Sequence, residues 1–273
     1  MNTNKSDKKP KYDIIDAHAH IYPAKIAKRA VESISDFYDL PMDLDEGTAD
    51  VLIENGKKCG VKNYIVHSVA TTPAQTISIN NFIKSEMDKH PELVGFAALH
   101  PDCEDFDMEF EHIENLGLKG IKLHPDFQRF NIDDPKAFEI YKRAEGKYPI
   151  LMHMGDIRYE FSRPFRLRNI IEKFPDLTVI AAHFGGYQRW DEARECLVDT
   201  SVYLDTCSSI KFVGKEYATE RIYEYGVERI LFATDFPMWK MDLELNRFLE
   251  LDLTEDERKD ILYNNAAKLL KLV

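Results

Sequence analysis

Cysteine is scarce: the 273 residues hold four, Cys59, Cys103, Cys196 and Cys207, none in CxxC spacing. So few in so long a chain do not make a disulfide framework, and reduced thiols in a cytoplasmic protein are expected. Net positive charge is also missing, since 36 Lys and Arg stand against 48 Asp and Glu for a balance of −12. That argues against a nucleic-acid or anionic-membrane partner and leaves a small anionic substrate open, because a few local arginines override the global field. No apolar run approaches transmembrane length. The opening MNTNKSDKKPK is polar and lysine-rich with no apolar stretch behind it, so residues 1–11 read as a frayed tail and not as a secretory signal. GxGxxG and GxxxxGK[ST] spacings are absent, which removes the usual mark of an open, doubly wound nucleotide-binding sheet.

What is present is an alternation. Apolar residues make up 44% of the chain, enough for a core. Eight short, almost continuously apolar runs cover Tyr12–His20, Val61–Ala70, Leu93–His100, Leu118–His124, Pro149–His153, Leu177–His183, Ser201–Thr206 and Arg229–Asp235. Helix-like segments lie between them, among them Pro73–Lys89, Pro135–Gly146, Arg163–Phe174 and Val213–Tyr225. Strands buried on both faces and separated by helices imply parallel βα units. Eight such units predict an α/β fold, a (β/α)8 barrel in one domain over residues 12–273. Extra helices follow the eighth run, over Leu243–Leu251 and in TEDERKDILYNNAAKLLKL, where Thr254 is placed to cap. The segment DFYDLPMDLDEG, Asp36–Gly47, reads as a long loop and a candidate lid.

The histidines are not scattered. His90 and His112 fall in helical segments and read as surface residues, whereas His18, His20, His67, His100, His124, His153 and His183 fall in or at the carboxyl end of a strand run. In a barrel those ends build the active site. For His67 and His100 a hydrogen-bonded structural role is expected. His18 and His20 share a strand face, and two inward imidazoles are costly to bury unless something satisfies both. A divalent cation does so. Further ligands are available in His153, His183 and Asp235, the last at the end of ILFATD. Imidazoles with one carboxylate suit zinc first, then manganese or iron, and not calcium or magnesium. Lys122 and His124 share a face in GIKLHP; the lysine could hold a substrate carboxylate, be carboxylated to bridge a second metal, or pair with Asp235. Arg158, five residues past the end of the fifth run, is a candidate fork for a substrate carboxylate. Tyr22, Phe161 and Trp239 are candidate apolar walls.

The motifs DAHAHIYP, GIKLHP, MHMG, FPDLTVIAAHFGG, FATDFP and YNNAAKLL, in this order and at strand ends, resemble the amidohydrolase superfamily from Asp16 to Leu272. The likeness is to the branch with aminocarboxymuconate-semialdehyde decarboxylase, aromatic-acid decarboxylases and lactonases. The resemblance implies one metal held by His18, His20, His153 and Asp235, with His183 beside the reacting group. Lys122 leaves the number of metals open, since binuclear relatives carry a bridging lysine on the fourth strand. Hydrolysis of an ester, lactone or amide is the first expectation, with Asp235 moving the proton of a metal-activated water and His183 donating to the carbonyl oxygen. Non-oxidative decarboxylation of an aromatic or unsaturated acid is the alternative, and a non-catalytic metal-binding scaffold the second. The expected partner is a small molecule, with self-association open.

Overall fold

The computed structural model describes residues 10–43 and 45–272. Of the segment read as a tail, residues 1–9 lie outside the described residues; Lys11 and Tyr12 are described, both bonded to Glu255.

Eight parallel strands pair in chain order: β1 (Ile14–His20), β2 (Val61–His67), β3 (Leu93–Ala98), β4 (Gly120–Leu123), β5 (Ile150–Met152), β6 (Val179–Ala181), β7 (Tyr203–Asp205) and β8 (Ile230–Leu231). The ring is closed between first and last by Ala17 N–H to Phe232 O, Asp235 N–H to His18 O and His20 N–H to Phe236 O, at 2.9, 2.9 and 2.7 Å. This is the (β/α)8 barrel expected from the alternation. Its interior is packed: Lys122 is in register with Ala98 and Leu151, and Leu151 with Ile180, so these side chains share the inner face. Phe96 fills the same face beside Gly120, where a Cβ would sit 2.5 Å from its ring. Outward residues such as Val66, Ala97, Leu123, Met152 and Leu204 join the larger core under the helices.

Element ends differ from the sequence reading in instructive ways. The β2, β3 and β8 ladders stop before Ala70, His100 and Asp235. Residues past them turn away to form the mouth. Val213–Tyr225 is two helices, Ile210–Val213 and Lys215–Tyr225, because Gly214 takes φ +80° between them. The candidate lid begins inside a helix, since α1 spans Ala24–Tyr38. Thr254 caps the helix Glu255–Lys259, its hydroxyl accepting from Glu257 N–H in a reciprocal capping box.

Candidate active site

The carboxyl mouth gathers side chains from all around the barrel. His18 and His20 come from β1, and an extra residue between Asp16 and Ala19, relative to β2, bulges the strand beside His18. His67 ends β2, Lys122 lies in β4 with His124 just past it, and His153, His183 and Asp235 follow β5, β6 and β8. His183, Ser208 and Asp235 adopt positive φ, 62°, 50° and 59°. Such backbone is costly for side-chain-bearing residues and collects at functional sites.

His18 Nε2 lies 3.2 Å from His20 Nε2, and Asp235 Oδ1 is 3.5 and 3.4 Å from these two nitrogens. Ligand atoms held about 2.1 Å from one tetrahedral ion sit roughly 3.3 Å apart, so the three fit a common cation. Asp205 Oδ2, 2.8 Å from His18 Nδ1, accepts that N–H and leaves the Nε2 lone pair facing inward. A second imidazole pair lies beside the first: His183 Nε2 is 3.1 Å from His153 Nδ1. Behind them, His183 Nδ1 is 3.3 Å from Cys207 O, and His153 Nε2 is 3.3 Å from Asp126 Oδ2. His18 and His183 thus keep the outer nitrogen on an acceptor and turn the other toward a neighbouring ring, whereas His20 Nδ1 and His153 Nε2 form no hydrogen bond among the described residues. The donor set therefore fits a divalent transition metal.

Burial sets the charges. It lowers the pKa of His18, His20, His67 and His124, and takes His183 to about 3, so these rings are neutral. Burial opposes ionisation of Asp235, while the surrounding imidazoles, His20 through a hydrogen bond among them, favour its carboxylate, and the net direction is downward. Ser208 Oγ donates to Asp235 Oδ2 at 2.6 Å and accepts from Trp239 Nε1 at 2.8 Å. Burial takes Lys122 down to about 8, against the pull of Asp235 and Asp205. Its Nζ is 3.2 Å from His18 Nε2; among the described residues it makes no ion pair with Asp235.

Above this floor is a cleft. Its upper lining is apolar and aromatic: Ile34, Tyr38, Leu40, Met42, Phe127, Tyr187, Met238 and Trp239. The segment read as a lid therefore supplies Tyr38, Leu40 and Met42 to the wall. Of the other wall candidates, Tyr22 stacks against His20 at 6.5 Å from outside the lining, and Phe161 lies in the β5 loop, away from it. Arg158 does not reach the cavity either. Its guanidinium is bidentate on Asp156, donates to Phe37 O at 2.6 Å and lies over the Phe37 and Tyr38 rings. A carboxylate two residues upstream satisfies the fork, so Arg158 braces the end of α1. His100 is buried and accepts from Asp102 N–H; His90 and His112 are half-buried.

Asp205, Cys207, Ser208, Asp126 and Tyr38 went unread in the sequence. The strand-end rule that found Asp235 applies equally to Asp205 at the end of VYLD. No local pattern marks Tyr38, whose OH is 3.3 Å from His124 Nε2 across 86 residues of chain.

Barrel, mouth and donor set together define a class, the metal-dependent (β/α)8 enzymes with catalytic groups at the strand ends. The chain belongs to the amidohydrolase family, whose model matches residues 15–272. It is similar to a gamma-resorcylate decarboxylase of Polaromonas, 28% identical over 38% of this chain and 37% of that one. It is also similar to a 2-amino-3-carboxymuconate-6-semialdehyde decarboxylase of Dictyostelium discoideum, 20% identical over 71% of this chain and 66% of that one. Among solved structures, a dihydroxybenzoic acid decarboxylase of Polaromonas, with bound manganese and the inhibitor 2-nitroresorcinol, superposes with a TM-score of 0.73. Identity is 18%, over 96% of this chain and 97% of that one, a likeness of fold.

Proposed function

We propose that the protein is a metal-dependent, non-oxidative decarboxylase of a small aromatic or unsaturated carboxylic acid. The observation that carries this is the cavity: an imidazole and carboxylate floor beneath walls of Tyr38, Phe127, Tyr187, Met238 and Trp239. On this reading a flat acid binds with its carboxylate toward the floor and its ring against the walls. The relatives support the same reading, since those named are decarboxylases. Of the two reactions weighed from sequence, they favour the second over hydrolysis.

His18, His20, His153 and Asp235 are the proposed metal ligands. A bound divalent cation supplies positive charge against the oxygens of the substrate carboxylate. The apolar walls orient the ring and exclude water. The acid enters with one exchangeable proton, on its carboxyl or a ring hydroxyl; Asp235, ionised at rest, takes up that proton and passes it to the carbon that bears the carboxylate. The carbon–carbon bond then breaks, its electron pair returns to the ring system, and carbon dioxide leaves. His183, neutral and backed by Cys207 O, is placed to hold a polar substituent next to that carbon. Lys122, at the floor, steadies the negative charge of the carboxylate.

The experiment is a panel assay of manganese-loaded protein with hydroxybenzoates, unsaturated acids, lactones and aryl esters. Carbon dioxide from at least one acid is expected. Acid released from lactones or esters, with no carbon dioxide from any acid, would restore hydrolysis. No turnover in either arm by metal-loaded protein would favour the scaffold.

A further inference from the structure

We propose that His67 contributes a fourth imidazole to the metal centre, beyond the ligand set named above. This rests on the reading of His18, His20 and Asp235 as a cation site. The residue is fully buried and ends β2 as the register partner of His20, so its side chain points into the barrel at the height of the pair. Its ring centroid lies 4.4 Å from that of His20 and 4.9 Å from that of His18, edge-on to both. One nitrogen from each of His18, His20 and His67 lies within 4.8 Å of the other two.

The second observation is independent of that proximity. Among the described residues neither nitrogen of His67 has a hydrogen-bond partner. The other strand-end imidazoles are anchored: His18 by Asp205, His100 by Asp102 N–H, His124 by Tyr38 and Phe127 N–H, His183 by Cys207. His20 and His153 each face another imidazole. A core histidine kept for packing would show at least one such bond, because a buried polar group without a partner destabilises the fold. The groups that bear on His67 are His20, Lys122, His18 and His124, imidazoles and an amine. A Lewis acid among them satisfies the lone pair of a neutral His67. Two nitrogens on one ion, at bond lengths of about 2.1 Å, are at most about 4.2 Å apart. Adjacent nitrogens are about 3 Å apart, so the His67 ring turns inward from its present place, within 4.8 Å of the pair, when the ion binds.

The test uses full-length protein loaded with manganese(II). X-ray absorption on the wild type counts imidazole ligands by their multiple scattering, and four are expected: His18, His20, His67 and His153. In parallel, free manganese is titrated by electron paramagnetic resonance. His67→Ala is expected to weaken binding ~10–100-fold, the usual effect of disturbing a metal-site histidine or its support. His67→Gln, closer in volume, replaces it if the alanine variant does not fold. Three imidazoles in the wild type, or an affinity in a folded variant within about twofold of wild type, overturns the assignment of His67 while leaving the cation site standing. Wild-type protein that takes up no manganese overturns both.

Discussion

At His18, one nitrogen is committed to Asp205 so that the other can face the cavity, and the same division recurs at His183 with Cys207 O. Removing a backing group should act through the ring it holds. Asp205→Asn should lower manganese affinity ~10–100-fold with the fold intact, read by titration and circular dichroism; an unchanged affinity would show that His18 needs no such support. Asp235→Asn keeps the shape and one oxygen for the proposed metal but loses the proposed proton carrier. It should retain most of its metal and lose ~10²–10⁴ in turnover, the scale of general acid–base contributions. Equal turnover would remove Asp235 from the chemistry. The His18→Ala/His20→Ala double variant should hold no metal by elemental analysis.

The end of α1 and the segment after it wall the cavity, and the loop after β5 packs behind them. Arg158 joins them, through Asp156 on its own loop and Phe37 O on the helix. Its side chain is partly exposed, but Asp156 is buried, so removing the guanidinium leaves a buried carboxylate without its partner. Arg158→Ala should therefore lower the melting temperature and raise KM severalfold, because the wall carrying Tyr38, Leu40 and Met42 loses its brace. An unchanged KM would show that Tyr38 and its neighbours hold the wall unaided. The β5 loop also touches the β6 loop backbone to backbone. Gly155 has φ +88°, and a Cβ there would lie 2.2 Å from Tyr187 N. Gly155→Ala should destabilise the protein by ~1–3 kcal/mol in chemical denaturation, since both backbone strain and overpacking oppose it.

Over the whole molecule, the buried imidazoles set the response to acid. His18, His20, His67, His124 and His183 have folded pKa values below 6.5 because burial disfavours their charge. Below pH 6.5 the unfolded chain binds protons that the folded chain refuses, so stability falls as pH falls. Each ring contributes at most about 1.4 kcal/mol per pH unit. Three buried carboxyls act in the opposite sense: burial raises Asp16 and Glu244 to about 7 and also raises Asp205. With His100 also lowered and Asp45 also raised, six rings outweigh four carboxyls, and the melting temperature of metal-free protein should drop between pH 6.5 and 4.5. A flat or rising profile there would mean that the rings are charged in the fold. Among the described residues no helix is long and apolar enough to cross a membrane.

The barrel and the identity of its mouth-facing histidines were readable from the chain, because apolar runs separated by helices admit few packings and strand ends carry their side chains to one rim. His18, His20, His153, His183 and Asp235 were found by that rule. Their partners were not, because a hydrogen bond such as Asp205 to His18 joins residues 187 apart and leaves no local spacing. Arg158 shows the limit from the other side: near His153 in sequence, it is turned from the cavity by Asp156 and Phe37 O. Which residues meet the rim is dictated by strand order and periodicity. Which nitrogen each ring turns inward, and which charge is already satisfied, is decided only when distant loops pack together, since those are properties of neighbours that the chain brings in from far away.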